Sequence, residues 1–248
     1  MTCDLQPDMS TGKALITGST SGIGLAIAKR LAADGYGIVL NYAGNSDQAD
    51  RAVSSIRSHT HHVILIRADV TDESDVKRLW DAAEASGPVD VLVNNVGDFL
   101  YKPWIETSFS EWNHILTSNL GSAFLCAREG ARRMRKREAG RIVSIAAMNA
   151  EVFRAVPHTL PYAIAKAGLV YLTKTLAKTE GPYGIRVNAV CPGFVEGTPF
   201  PPASTEAAIP LKRLACPEEI ADVVAYLVSE QASYVTGTVV HAHGGALL

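Results

Sequence analysis

The sequence predicts an α/β fold: a single domain over residues 1–248, a doubly wound parallel sheet of about seven strands with helices on both faces. Three observations predict it. Short apolar runs rich in Val, Ile and Leu alternate with longer amphipathic stretches along the whole chain. The runs are nearly continuous, as suits strands buried on both faces of a parallel sheet. No internal repeat and no Gly/Ser-rich linker divides them.

Residues 1–11 read as a flexible tail. Asp4 and Asp8 lie in it, without the basic-then-apolar pattern of a signal peptide. Lys13–Thr17 reads as a strand and Ile23–Ala33 as a helix. Gly37–Asn41 is a second strand, followed by a helix over Asp47–Ser58. A third strand, His62–Arg67, leads to a helix over Asp72–Ala85, and Val89–Val93 is a fourth strand. One long helix is expected over Ser110–Arg137. Arg141–Ala147 is a strand, Tyr162–Thr179 a helix and Ile185–Val190 a strand. Pro217–Ser229 is a helix with proline at its start, where a missing N–H does least harm. Thr238–His241 is a last short strand. Residues 193–210 hold Pro199, Pro201, Pro202 and Pro210 without a period and read as a substrate loop or a plain mobile one.

Composition excludes several functions. Apolar residues make up 47% and charged residues 19%, with a formal net charge of −2. Nothing recommends nucleic acid or an anionic membrane as a partner. The basic run Arg132, Arg133, Arg135, Lys136 and Arg137 reads as a solvated helix end that complements the helix dipole. No apolar run approaches ~18 residues, so no membrane span is expected. Cys3, Cys126, Cys191 and Cys216 lack paired spacing, which predicts neither disulfides nor zinc and suits a cytoplasmic protein.

Between the first strand and the first helix lies Thr17-Gly18-Ser19-Thr20-Ser21-Gly22-Ile23-Gly24. Glycines let backbone approach a pyrophosphate, and the helix N-terminus offers free N–H groups and a positive dipole end. In this strand–turn–helix setting the loop predicts a Rossmann-type dinucleotide site. At the tip of the second strand, Asn41 and Tyr42 are followed by Ala43-Gly44-Asn45-Ser46, with no acid before Asp47. An acid there would hold the adenosine ribose and repel a 2′-phosphate, so its absence favours NADP(H) over NAD(H). No arginine adjoins these residues in sequence to clamp the phosphate. Asp69 and Val70, just after the third strand, are placed to reach the adenine; Asp69 could equally be a helix N-cap.

Tyr162 and Lys166 stand at i and i+4, neighbours on a helix. A free phenol, with a pKa of ~10, is a poor acid–base catalyst near neutrality. An adjacent ammonium is expected to lower that pKa and bring proton transfer within range. The pair follows the fifth strand, at the carboxyl edge where open α/β sheets hold ligands.

With these motifs in order, the sequence resembles the short-chain dehydrogenase/reductase family over about Lys13–Gly245, and within it the 3-oxoacyl-[acyl-carrier-protein] reductase-like members. The resemblance rests on Thr17–Gly24, Asn94-Asn95-Val96-Gly97, Asn119, Tyr162/Lys166 and Pro192-Gly193. It implies an oxidoreductase that reduces a small-molecule or carrier-bound carbonyl with a nicotinamide cofactor. By resemblance, Tyr162 is the general acid/base, Lys166 holds the nicotinamide ribose, and Asn119 supports a proton-relay water. Asn94, Asn95, Val96 and Gly97 would line the cofactor, with Val195 and Thr198 near the nicotinamide amide. A homotetramer, or a dimer, built through the long helices is implied as well.

One position departs from the pattern. The family normally ends the fifth strand with a serine that polarises the substrate carbonyl. Aligning from Gly140 puts Ala147 there, and counting back from Tyr162 lands on Asn149. Ser144 faces the other side of the strand. Asn149, His158 or Thr159 could donate instead. Pteridine reductases of the family also lack the serine, so reduction of a cyclic C=N bond is an alternative. A low-turnover dinucleotide-binding sensor or scaffold is another. His241-x-His243 reads as structural, and His59, His61 and His62 as exposed. Trp104, Phe109 and Trp112 read mainly as packing, with Trp104 or Tyr101 able to shape a substrate cleft.

Overall fold

A computed structural model describes residues 12–60, 62–152, 155–198 and 205–247. The tail over residues 1–11, His61, and residues 199–204 of the expected loop lie outside the described residues.

All seven strands are present and every pairing is parallel, in the order β3-β2-β1-β4-β5-β6-β7. They are β1 (Lys13–Ile16), β2 (Gly37–Tyr42), β3 (Val63–Arg67), β4 (Val91–Asn94), β5 (Gly140–Ile145), β6 (Ile185–Pro192) and β7 (Val239–Ala242). The helices are α1 (Gly22–Ala33), α2 (Ser46–Ile56), α3 (Glu73–Glu84), α4 (Phe109–Leu116), α5 (Ser122–Met134), α6 (Leu160–Glu180), α7 (Thr205–Ala208) and α8 (Pro217–Val228). The order reverses between β1 and β4, which opens a crevice at the carboxyl edge of the strands.

Two apolar layers sandwich the sheet. On one face, Ile27 and Leu31 of α1 and Ile220 and Val224 of α8 pack with Ile16, Leu40 and Val93. On the other, Leu79 and Trp80 of α3 and Cys126 and Met134 of α5 pack with Leu15, Leu92 and Ile142. Fully burying side chains of this size contributes about 1.5–3 kcal/mol each. Gly130 fits this second layer tightly, since a Cβ there would lie 2.6 Å from the Trp80 ring.

Three sequence expectations are corrected. The long helix expected over Ser110–Arg137 is two helices joined by a π-helical segment, Thr117–Gly121. Its widened turn carries Asn119, whose amide donates to Asp98 O at 2.8 Å and Ile115 O at 3.0 Å. The basic run after it is not merely a solvated end. Arg133 reaches Asp81, Glu84 and Glu129, and Arg137 reaches Glu84 at 3.0 Å. Arg135 forks onto the buried Glu180 at 2.7 and 2.8 Å. Arg133, Arg135 and Arg137 tie this stretch to α3 and α6, while Arg132 and Lys136 keep the exposed positions expected of a solvated end. Finally, Trp104 and Phe109 are not packed: they are 60% and 77% exposed. The chain there is steered by backbone bonds from Lys102 and Trp104 to His158 and Pro157, and by the Ser108/Glu111 capping box.

Candidate active site

The glycine loop takes the shape its sequence requires. Ser21, the N-cap of α1, is extended and makes no side-chain cap, and the first turn of α1 holds no acid. Its leading N–H groups therefore face outward with the positive end of the helix dipole. Gly22 is left-handed, φ +51°, with open space where a Cβ would point. Gly24 is buried, and a Cβ there would lie 2.6 Å from both Gly18 O and the Asn95 amide. This is a backbone cradle that an anion can approach closely, which is what a dinucleotide pyrophosphate needs.

Several expected cofactor residues prove to brace that cradle. Asn41 is buried; its Oδ1 accepts from Gly18 N at 3.2 Å and its amide donates to Ala68 O at 3.0 Å. Ser19 is buried and bonds the Asn41 backbone. Asn95 donates to Thr17 O and Gly18 O, both at 3.0 Å, and also lines the cleft. Asn94 lies inside β4, donating to Ser144 Oγ at 3.4 Å, so neither Asn94 nor Ser144 reaches the cleft. Val70 is buried. Asp72 caps α3, so Asp69 is free of that duty and instead accepts from Thr71 at an exposed position beside the β2 tip. Thr20 and Tyr42 are half-buried.

Beyond the cradle, a cleft of about 520 Å³ runs along the carboxyl edge of the sheet. It gathers Ile23, Gly97, Tyr162, Lys166, Pro192, Gly193, Val195 and Thr198, all expected from the sequence. Tyr162 and Lys166 lie on the first two turns of α6, and the Lys166 Nζ sits 5.6 Å from the Tyr162 ring centre. Asn119 stands behind them: a Cβ on Gly97 would be 2.2 Å from Asn119 Oδ1 and 3.3 Å from Lys166 Nζ. That Oδ1 is buried without a hydrogen-bond partner. An unpartnered buried acceptor is costly and suits a water or an ammonium close by.

The electrostatics differ from the sequence expectation. Burial pushes the Tyr162 phenol up to about 12, and the nearby Cys191 thiol acts in the same direction. Burial also pushes the Lys166 ammonium down to about 8. The ammonium donates to Ile145 O at 2.8 Å rather than to the phenol. Desolvation is the largest cause of both shifts, and it holds Tyr162 as a neutral phenol.

The position of the absent serine is now defined. Ala147 lies just past β5, and it lines the cleft together with Asn149 and Thr159. His158 does not; it stacks on Tyr101 at 4.9 Å. The side chain of Asn149 makes no hydrogen bond to any described residue. Sequence reasoning passed over Phe99, which meets the Tyr162 ring edge-on at 5.0 Å, and over Met148, Val156 and Phe194, which make the cleft walls apolar. Their only signal was proximity to Gly97, Tyr162 and Gly193. His241 pairs with Glu151 at 3.0 Å, beside Lys174, outside the cleft. Among the described residues no group of three His, Cys, Asp or Glu could hold a metal, and no helix is long and apolar enough to cross a membrane.

Fold and site together define a doubly wound α/β protein in which a glycine-loop cradle adjoins a largely apolar cleft lined by Tyr162 and Lys166. Comparison with known proteins sharpens this. A family profile described as enoyl-(acyl carrier protein) reductase matches residues 18–246. The 3-oxoacyl-[acyl-carrier-protein] reductase FabG of Staphylococcus aureus is 34% identical over 242 residues, covering 95% of this chain and 98% of the relative. The 3beta-hydroxysteroid dehydrogenase 1 of Eggerthella lenta is 35% identical over 251 residues, covering 97% and 95%. A solved actinorhodin polyketide ketoreductase with NADPH superposes with a TM-score of 0.88 at 31% identity, covering 96% of this chain and 98% of that one. The chain belongs to the short-chain dehydrogenase/reductase family and is an NAD(P)-dependent oxidoreductase.

Proposed function

We propose that the chain reduces a ketone or aldehyde carbonyl on a small or carrier-bound substrate, with NADPH as cofactor and Tyr162 as proton donor. One observation carries the reading: Tyr162 and Lys166 open into the same cleft as Gly97, Gly193 and Val195, directly beyond the glycine cradle. When bound, the nicotinamide supplies hydride. The chain's residues do the rest. Tyr162, neutral and partly buried, donates its hydroxyl proton to the nascent alkoxide. Lys166 holds the cofactor ribose, and a water donating to Asn119 Oδ1 links Lys166 to solvent, so that a proton taken up from solvent replaces the one Tyr162 gives. Asn41, Ser19 and Asn95 fix the backbone cradle for the pyrophosphate. Gly193, Phe194, Val195 and Thr198, at the start of the expected substrate loop, contribute to the cleft wall. The FabG relative and the NADPH-bound ketoreductase support both the reaction and the cofactor. The protein is proposed to act in the cytoplasm as a homotetramer or dimer through α4, α5 and α6, where Phe124 and Tyr171 are exposed; light scattering of the purified chain tests the assembly.

A panel of carbonyl substrates with NADPH and NADH tests the function. Turnover of a ketone with NADPH is expected. Turnover of only a cyclic C=N substrate would favour a pteridine-reductase-like role. Tight cofactor binding with no turnover would favour a sensor, the reading that Ala147 motivates.

The second donor to the carbonyl oxygen is assigned to Asn149. Losing one such donor costs about a hundredfold in rate. Asn149→Ala is accordingly expected to lower kcat by that order with cofactor affinity intact, and Ala147→Ser in that background to restore part of it. An unchanged rate in Asn149→Ala would pass the role to Thr159.

The buried lysine sets a pH limit. Its pKa lies near 8, below that of a free lysine, so the ammonium is present at lower pH and is lost as pH rises through 8. Carbonyl reduction needs that cation. The kcat/KM for reduction is expected to be flat below pH 8 and to fall about tenfold per unit above it. A profile flat to pH 10 would remove Lys166 from the proton path.

A further inference from the structure

The preceding reading takes NADPH as cofactor from the missing acid at the β2 tip, but the sequence around Asn41–Ser46 offers no cation to hold a 2′-phosphate. The fold brings one from elsewhere. Arg67 is the last residue of β3, and the parallel register sets it opposite Tyr42 of β2. Its Nε donates to Ala43 O at 3.1 Å, which stretches the side chain across the β2–α2 turn. The same guanidinium borders a surface hollow with Ala43, Ala68, Asp69, Asp75 and Arg78.

Of the other charges in the hollow, Asp75 and Arg78 pair with each other, and the Asp69 carboxylate is held by the neutral donors of Thr71. Asp75 pairs with Arg78 and accepts from Asp69 N at 2.9 Å. Asp69 Oδ1 accepts from Thr71 N at 2.9 Å and Thr71 Oγ1 at 2.7 Å. Arg67 makes no ion pair with any described carboxylate, and among the described residues its guanidinium has one acceptor, Ala43 O on Nε. A guanidinium anchored at Nε presents the remaining N–H groups as a fork, a geometry that matches a phosphate bidentately. The crevice geometry of a doubly wound sheet runs the adenosine ribose of a dinucleotide over the tip of β2 once its pyrophosphate lies on the glycine loop. Here that tip is Tyr42-Ala43-Gly44, the segment Arg67 grips.

We infer that Arg67, carried on β3 rather than β2, is the residue that selects a 2′-phosphorylated adenosine and so sets the preference for NADP(H). The inference rests on the proposed NADPH reading and adds the residue responsible for it. Asn41 then has a different part: buried beneath the turn, it fixes the backbone of the glycine loop and does not itself read the 2′ position.

The test uses the full chain, and its nucleotide-binding arm needs no carbonyl substrate. Binding of 2′,5′-ADP and 5′-AMP is measured by calorimetry for the wild type, Arg67→Gln and Arg67→Lys, and kcat/KM with NADPH and NADH is measured in parallel. The wild type is expected to bind 2′,5′-ADP at least tenfold more tightly than 5′-AMP. Arg67→Gln should bring the two within about twofold by weakening 2′,5′-ADP alone, and Arg67→Lys should keep part of the preference. The NADPH/NADH ratio should fall in step. If Arg67→Gln keeps the wild-type preference, the arginine assignment is overturned while the NADPH reading stands. If it weakens both nucleotides equally, Arg67 only props the turn and the assignment is likewise overturned. If the wild type itself favours 5′-AMP and NADH, the NADPH reading fails and the assignment with it. Arg67 is exposed, so loss of folding is not expected to confuse these outcomes.

Discussion

Tyr162→Phe is expected to lower kcat by a hundredfold or more and to leave the dissociation constant for NADPH within about twofold of wild type. The change removes one oxygen and keeps the ring, so the edge-on contact with Phe99 at 5.0 Å survives and the cleft keeps its shape. What disappears is the hydroxyl of Tyr162, the tyrosine that shares the cleft with Lys166. A general acid contributes about a hundred- to ten-thousandfold, because without it the alkoxide must find its proton from water in a largely apolar cleft. At pH 7 the phenol carries the proton that reduction consumes, as a free phenol would. Burial that raises its pKa to about 12 makes it a weaker acid than the sequence predicts, so cofactor and substrate must supply the remaining drive for transfer. The oxidation direction needs the opposite protonation state, and there the same burial works against the enzyme until a ligand alters the surroundings. Single-turnover measurement of NADPH oxidation separates the chemical step from release. A Phe variant with near-normal single-turnover rate would remove Tyr162 from the proton path altogether.

The fold was legible because its signals are local. Each strand is a short β-branched run, and the glycine loop sits where a strand meets a helix, so order and type could be read from periodicity alone. The boundaries that moved did so where side chains compete with the backbone. Asn119 widens the helix to a π turn by sending its amide to Asp98 O and Ile115 O, and no periodicity reports such a bond. The chemical site was legible for the same reason as the fold: Tyr162 and Lys166 are one helical turn apart. Their electrostatics were not, since the sequence shows the ammonium but not the carbonyl of Ile145, 21 residues away, that accepts its hydrogen bond. Arg67 shows the same limit from the other side. It lies 24 residues from Ala43, and only the pairing of β2 with β3 makes them neighbours. Exposure followed the same rule. Trp104 and Phe109 read as packing by residue type, yet the loop that carries them is held by backbone bonds to Pro157 and His158, which leave the rings outside.

Gly24→Ala should reduce dinucleotide affinity by a hundredfold or more and lower the melting temperature as well. The added methyl carbon would lie 2.6 Å from Gly18 O and from the Asn95 amide, and 3.0 Å from Ser19 Cα. Two of those three contacts are with backbone of the loop itself, so no side-chain rotation relieves them. The loop must move, and Asn95 cannot give way without releasing Thr17 O and Gly18 O, the two carbonyls it holds at 3.0 Å. Overpacking of a tight site costs typically 1–3 kcal/mol in stability. The loss in binding is larger because a cradle of backbone N–H groups acts only when they converge on one anion, and a shift of about an ångström breaks that convergence. Fluorescence titration with NADPH and thermal melting in the absence of nucleotide read the two effects separately. Gly22→Ala is the natural control: it adds the same methyl at a left-handed position with open space around it, so it should strain the backbone without a clash. A Gly24→Ala protein that bound NADPH as the wild type does would show that the pyrophosphate lies away from this loop, and the assignment of the cofactor site would fall with it.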